Sequence, residues 1–279
     1  MSDRLPPGLH IVATPIGNLG DLSQRAAATL RSADRILAED SRVTAKLLNH
    51  IGAKVPMSRY DDHTSEQERD RIVAQLSEQA IALVSDAGTP LISDPGYKLV
   101  RAARAAGRAI HTVPGPSAAI AALTLAGLPT DRFLFLGFLP SKAKGRRDAI
   151  GEIAGVKATL VIYESGPRLA GTLAALQELL GARDAAVVRE ISKLHEECVA
   201  GTLKELAERY AALASATKGE IVIVVGPGSD VDLASDEELD AALDEALGRL
   251  SPSRAAAEVA GRLNVPRKRA YARALDRSK

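Results

Sequence analysis

The residues of this chain best suited to chemistry are carboxylates and small polar groups set in three glycine- and proline-rich loops. The segment Ile81–Gly96 (IALVSDAGTPLISDPG) carries Asp86 and Asp94 among two glycines and two prolines, directly after an apolar β-rich run. The same grammar recurs at Ile11–Asp21 (IVATPIGNLGD) and at Thr112–Ala118 (TVPGPSA), where Ser117 stands near a predicted helix start. Open α/β sheets hold their ligands beyond the carboxyl ends of the strands, so three such loops predict one composite small-molecule site. Two further groups, Glu39-Asp40-Ser41-Arg42 and Arg189-Glu190, end predicted strands. Their carboxylates can accept a proton and their arginines can hold phosphate; the competing reading is a pair of structural ion pairs at domain edges.

The kind of ligand follows from what is missing. Neither a Walker A sequence nor a strand-linked G-x-G-x-x-G is present. A cofactor without phosphates needs apolar room for an adenine, an acceptor for ribose hydroxyls and helix-terminal N–H groups for a carboxylate. S-adenosylmethionine meets that description. The run Lys193, His195, Glu196, Glu197 lacks a metal-ligand spacing and the five histidines are otherwise scattered, so no metal is expected. Gly17-Asn18-Leu19-Gly20 has the GXXG form of a nucleic-acid loop but follows a first strand, which argues against that role.

The elements that must position these loops alternate along the chain. Predicted strands at Leu9–Thr14, Ile36–Glu39, Val55–Ser58, Ile81–Ser85 and Ile110–Val113 are separated by helical segments, the rhythm of a mainly parallel sheet. A helix near 117–127 leads to a second set at Phe133–Gly137, Thr159–Tyr163, Ala185–Arg189, Glu197–Thr202 and Glu220–Val225, with antiparallel pairing expected across 184–203. The domains so predicted are 1–120, 121–228 and a remainder of 229–279. With 279 residues, 46% apolar and 25% charged, the chain reads as a soluble α/β protein. One cysteine and a start without an apolar leader predict a cytoplasmic protein, and no run is long enough for a membrane span.

Seven segments, VATPIGNLGD (12–21), AEDSR (38–42), SDAGTPLISDPGY (85–97), PGPSA (114–118), LPTDRFLFLGFLP (128–140), YES (163–165) and KGEIVIVV (218–225), together resemble the tetrapyrrole methylase superfamily. More narrowly, they are similar to its branch that methylates the 2′-oxygen of a cytidine in the decoding region of 16S ribosomal RNA. The resemblance implies a two-domain class III methyltransferase fold, a homodimer, and S-adenosylmethionine in the interdomain cleft. The residue chemistry and the resemblance together place Pro15, Asp86, Gly88, Thr89, Ser93, Pro116, Ser117, Ala118, Tyr163 and Glu220 at the cofactor and Glu39, Asp40 and Glu190 in catalysis. Arg42, Lys142, Lys144, Arg146, Arg147, Arg168 and Arg189 are assigned to substrate. One departure stands out: after Tyr163-Glu164-Ser165 the family commonly has a histidine before the arginine, whereas this chain reads Gly166-Pro167-Arg168.

Net charge is only +1, but it is unevenly spread. Residues 230–248 hold eight acids and no Lys or Arg, while 249–279 hold nine Lys and Arg against two acids. The tail predicts two short helices around Asn264-Val265-Pro266, with Arg267, Lys268, Arg269 and Arg273 on the second. It reads either as an RNA-binding appendix behind an acidic connector or as a basic tail folded back on the acids. Ser141–Arg147 reads as a cationic loop able to track a phosphate backbone. These segments favour 16S rRNA or the small subunit as substrate over a tetrapyrrole, the alternative on the same scaffold.

Overall fold

The apolar run at Ile81–Val84 has no polar alternation because its strand is buried on both faces. The computed structural model describes residues 5–213, 217, 219–228, 236–263, 265 and 267–278. Strands β1 (Gly8–Val12), β2 (Arg35–Ala38), β3 (Met57–Arg59), β4 (Ala80–Val84) and β5 (Ile110–Val113) pair in the order β3-β2-β4-β1-β5, all parallel. Ala82 and Val84 of β4 pack with Val12, Leu30, Ile36 and Leu47 on one side. Ile81 and Leu83 pack with Leu9, Leu37, Ile72 and Leu99 on the other. Helices α1 (Gln24–Ser32), α2 (Ser41–His50), α3 (Glu66–Gln75) and α4 (Tyr97–Ala105) connect the strands. After β1 the chain crosses toward β2, and after β4 it crosses the opposite way toward β5. The two connections leave these adjacent strands in opposite directions, α/β sheets hold ligands beyond the carboxyl ends of their strands, and the loops 13–17 and 85–96 stand at those ends.

The helix α5 (Ala118–Ala126) belongs to a second sheet: its Ala119, Ala122 and Leu123 pack on Val161, Val188, Val222 and Val224. That sheet contains β6 (Phe133–Phe138), β7 (Thr159–Ser165), β8 (Asp184–Arg189), β9 (Glu197–Thr202) and β10 (Glu220–Val225), in the order β6-β7-β10-β8-β9. Only β6 and β7 run parallel; the β8–β9 pair is the antiparallel one expected. The opposite face is covered by α6 (Ala143–Ile153), α7 (Leu169–Leu180) and α8 (Leu203–Ala211), through Ile150, Leu173, Leu176 and Leu206.

Two segments differ from the sequence expectation. Ser141–Arg147 is not a loop: Lys142 caps α6, and Lys144, Arg146 and Arg147 lie within its first two turns. Apolar Ile150 and Ile153, spaced to face the sheet, outweigh the local charge. The acidic stretch is not a hydrated connector across 236–247, which form α9 (Asp236–Leu247); residues 229–235 lie outside those described.

The chain divides into two compact units, residues 1–154 with 158–226 and residues 227–279 with 155–157. In the second, α9 packs with α10 (Pro252–Arg262) and α11 (Arg267–Arg277) around Leu239, Leu243, Ala255, Val259, Ala270 and Ala274. Asp236, Asp240 and Asp244, one turn apart on α9, meet Arg269, Arg273 and Arg277, one turn apart on α11. Glu245–Arg262 and Arg249–Glu258 add to the ladder. Three acids of α9 therefore pair with three arginines of α11, the contact that the fold-back reading expected.

Candidate active site

The three loops converge as expected, and backbone hydrogen bonds explain how. Thr14 N donates to Gly88 O at 2.8 Å and Gly88 N returns to Thr14 O at 3.1 Å. Thr89 Oγ1 donates to Pro116 O at 3.0 Å, tying in the third loop. Gly88 has φ +78, and a Cβ there would stand 3.3 Å from Ile16 Cγ2 and 3.6 Å from Pro116 O. Leu91 and Ser93 hold left-handed backbone conformations without being glycine (φ 75 and 64). Such strain persists where the surroundings fix it, commonly at sites.

These loops and the second sheet enclose a cavity of about 320 Å³. Its walls mix apolar Ile16, Ile92, Phe138, Ile191 and Val222 with Asp94, Glu164 and Glu220, and Ser117 and Ala118 bring the N-terminus of α5 to its edge. Tyr163 hydroxyl accepts from Ala119 N at 3.2 Å, occupying one of the helix's unpaired donors. Burial pushes that phenol above its usual pKa. Phe138 reaches the cavity through a register shift in β6 at Gly137 (φ +60), where a Cβ would lie 2.7 Å from Ser93 Oγ. The phenyl ring then stands edge-on to Tyr163 at 5.5 Å. Glu164 is buried; Thr172 Oγ1 donates to its Oε2 at 2.6 Å, Ser165 N to its Oε1 at 2.8 Å, and Arg168 Nε stands 3.1 Å from Oε1.

A second cavity of about 360 Å³ adjoins the first, sharing Ile16, Ala87 and Glu220. Pro15, Gly17, Leu19, Val43, Lys46, Leu47, Asp86 and Lys193 complete much of its wall. Asp86 Oδ1 accepts from Asp40 N at 2.9 Å. Burial first, opposed by a hydrogen bond from Ser85 and assisted by the charge of Asp86, pushes Asp94 up to about 6. Glu39 is raised as well, by burial and then by Asp94, Asp86, Asp62 and Asp61.

The residues assigned from sequence separate accordingly. Gly88, Thr89, Ser93, Ser117, Ala118, Tyr163 and Glu220 line the first cavity; Pro15 and Asp86 line the second, and the Pro116 carbonyl is held by Thr89. Of the carboxylates assigned to catalysis, Asp40 caps α2 and takes a bidentate pair from Arg42, which holds it near 2. Glu190 is lowered by the hydrogen bond from Lys193. Only Glu39 moves in the direction a base requires. Among the cations, Arg168 donates to Leu139 O at 2.6 Å besides pairing with Glu164, and Arg189 pairs with Glu197 across β8 and β9. Arg147 pairs with Glu178 and Arg146 is half-buried, whereas Lys142 and Lys144 are exposed. Phe138, Glu164, Lys46 and Lys193 were not assigned from sequence. The bulge that presents Phe138 and the packing that brings Glu164, Lys46 and Lys193 to the cavity walls arise only in the tertiary structure.

Residues 8–207 match the family model of tetrapyrrole (corrin/porphyrin) methylases. The chain belongs to that family. Residues 234–278, which include α9–α11, match the RsmI C-terminal HTH domain. "Ribosomal RNA small subunit methyltransferase I" of Erythrobacter litoralis is 52% identical over 275 residues, 99% of this chain and 97% of the relative. The protein of the same name from Xylella fastidiosa (strain Temecula1) is 48% identical over 95% of this chain and 98% of its own. Uroporphyrin-III-C-methyltransferase from Thermus thermophilus shares the fold, with a TM-score of 0.54 at 21% identity over 79% of this chain and 94% of that one. As a family methylase, the protein has its two cavities at the sheet ends where an α/β enzyme keeps its site. Among the described residues no cluster of His, Cys, Asp and Glu could hold a metal ion, and no helix is long and apolar enough to cross a membrane.

Proposed function

We propose that this methylase transfers a methyl group from S-adenosylmethionine to the 2′-oxygen of a cytidine in the decoding region of 16S rRNA, in the bacterial cytoplasm and as a homodimer. The observation that carries the reading is the paired cavity: one pocket suits an adenosyl ligand, and a second, with two lysines in its wall, opens beside it. The near full-length similarity to small-subunit rRNA methyltransferases supports the RNA substrate.

The first cavity fits the cofactor's chemistry. Phe138, Ile92 and Val222 offer apolar area to a purine, the exposed carboxylate of Glu220 is an acceptor for ribose hydroxyls or an ammonium, and the α5 N-terminus suits a carboxylate. Bound there, S-adenosylmethionine supplies a methyl on a sulfonium, a good leaving group. The chain's own work is alignment of the acceptor oxygen and removal of its proton. We assign proton acceptance to Asp94: it lines the cavity, lies within the field of Asp86 and Glu39, and is less acidic than an ordinary aspartate.

Mapping ribose methylation on 16S rRNA from cells with and without this protein tests the reading: one cytidine 2′-O-methyl should disappear in its absence. An unchanged map overturns it. The α6 cations carry a second expectation. Arg147 is already paired, so Lys142→Ala with Lys144→Ala should account for most of this helix's contribution to RNA binding. The slope of log K against log salt should fall by about 0.7 to 0.9 per cation lost, with cofactor affinity unchanged. Titrations at several salt concentrations check it, and an unaltered slope makes the helix a solvated face only.

A further inference from the structure

Lys193 is built into the wall between the two cavities with more support than a surface lysine receives. Its Nζ donates to Glu190 Oε1 and Glu220 Oε2, each at 3.0 Å, and Glu220 lines both cavities while Lys193 lines the second. The stem crosses Gly17 so closely that a Cβ there would stand 2.5 Å from Lys193 Cγ and 2.7 Å from Cε. The turn that presents it is strained: Glu190 and Ser192 have φ of 50 and 66. It is held by Glu190 N to Glu220 O (3.1 Å), Lys193 N to Glu190 O (3.0 Å), Ser192 N to Glu196 Oε2 (2.6 Å) and a hydrogen bond from Ser192 Oγ to Asp21. Burial works against the ammonium, yet the two carboxylates more than offset it, so it stays a cation.

The second cavity has the wall that a single nucleotide needs. Ile16, Leu19, Val43 and Leu47 form an apolar side. Lys46, exposed on α2, has no ion-pair partner among the described residues and lines the cavity on the side not shared with the first. We propose that this cavity is the acceptor-nucleotide site, with Lys193 against the ribose 2′-oxygen and Lys46 against a phosphate. The assignment rests on the RNA reading above. A hydroxyl oxygen has two lone pairs and one proton. One lone pair accepts from Lys193, the other faces the first cavity, and the O–H is left for a carboxylate, Asp86 in the wall of the second cavity or Asp94 in that of the first. Lys193 is thus a positioning residue for the nucleophile, and Lys46 an affinity residue.

The test uses the full-length protein with small ribosomal subunits as substrate. Lys193→Met should lower kcat about 10²-fold, the scale of losing one preorganised donor at a reacting oxygen, and leave the Kd for S-adenosylmethionine within about twofold. Lys193→Arg should restore part of the rate. Gly17→Ala should lower kcat with the lysine still present, because it displaces the stem. Lys46→Ala, an exposed change expected to fold normally, should raise KM for subunits several-fold, leave kcat near wild type and lessen the salt dependence of KM. Weaker cofactor binding in Lys193→Met would make the second cavity part of the cofactor site and overturn the proposal. Normal kcat in Lys193→Met, or normal KM in Lys46→Ala, would overturn it too. If Lys193→Met does not fold, the Lys46→Ala and Gly17→Ala results decide. A wild-type protein that methylates no ribosomal RNA refutes the RNA reading itself, a different result from normal variants of an active enzyme.

Discussion

Asp94→Asn should lower methyl transfer at saturating substrates by about 10²- to 10³-fold, within the range expected for loss of a positioned base. In the wild type, kcat/KM should rise with pH through about 6, where Asp94 ionises in the free protein. A cation bound in the cavity favours the ionised form, so the corresponding limb of kcat should lie at lower pH. The asparagine variant should lose the limb as well as the rate. Stability should move the opposite way. Unfolded Asp94 titrates near 3.8 and the folded group near 6, so between these values the native state holds a proton that the unfolded chain has released. Unfolding free energy therefore falls as pH rises through that window, and at pH 7 the ionised carboxylate is a burden. Asp94→Asn should stabilise the protein by roughly 1–2 kcal/mol at pH 7, after allowance for solvent screening, with the gain vanishing below about pH 4. Activity–pH profiles and denaturant melts at pH 4 and 7 check both halves. An asparagine variant that keeps both the rate and its acid limb would remove Asp94 from the chemistry.

That one side chain both weakens the fold and serves the site bears on what the sequence could disclose. The loops were legible because glycine, proline and aspartate after an apolar strand have few other uses, and the order of strands followed from apolar runs such as Ile81–Val84. What could not be read were consequences of packing. Arg168, Arg189 and Arg147 look from sequence like cations available to RNA, yet each finds a carboxylate brought to it by tertiary structure. The basic tail was ambiguous for the same reason, since only the relative placement of α9 and α11 decides whether Arg269, Arg273 and Arg277 face RNA or aspartates. Phe138 depends on one extra residue in β6, a change of register that leaves no mark on the apolar pattern around it. Lys193 sits in a polar run that merely fails to be a metal motif, and its meaning appears only when Gly17, far away in sequence, is seen beneath its stem.

Glu164→Ala should destabilise the first unit by about 3–5 kcal/mol, the range for breaking one partner out of a buried ion pair. The side chain is fully buried, Arg168 is mostly so, and the carboxylate joins the end of β7 to Thr172 on α7. Arg168 in turn reaches Leu139 O just beyond β6. Alanine leaves the Thr172 hydroxyl and the guanidinium without their acceptor and opens a void beneath the first cavity. At roughly 2–4 °C per kcal/mol for a domain of 150–250 residues, the melting temperature of that unit should fall by roughly 6–20 °C. Glu164→Gln keeps the shape and one acceptor oxygen, so a smaller loss is expected. Replacing the set together, Glu164→Leu with Thr172→Val and Arg168→Met, should recover much of the stability, because a well-packed apolar group competes with a buried pair once no charge is left alone. Cofactor titration separates structure from ligation. If Glu164 chiefly orders the wall, the triple variant should regain both folding and most of its affinity. If its carboxylate contacts the ligand, the triple variant should fold but bind weakly. Thermal melts showing Glu164→Ala as stable as wild type would mean that the network contributes nothing to holding β6, β7 and α7 together.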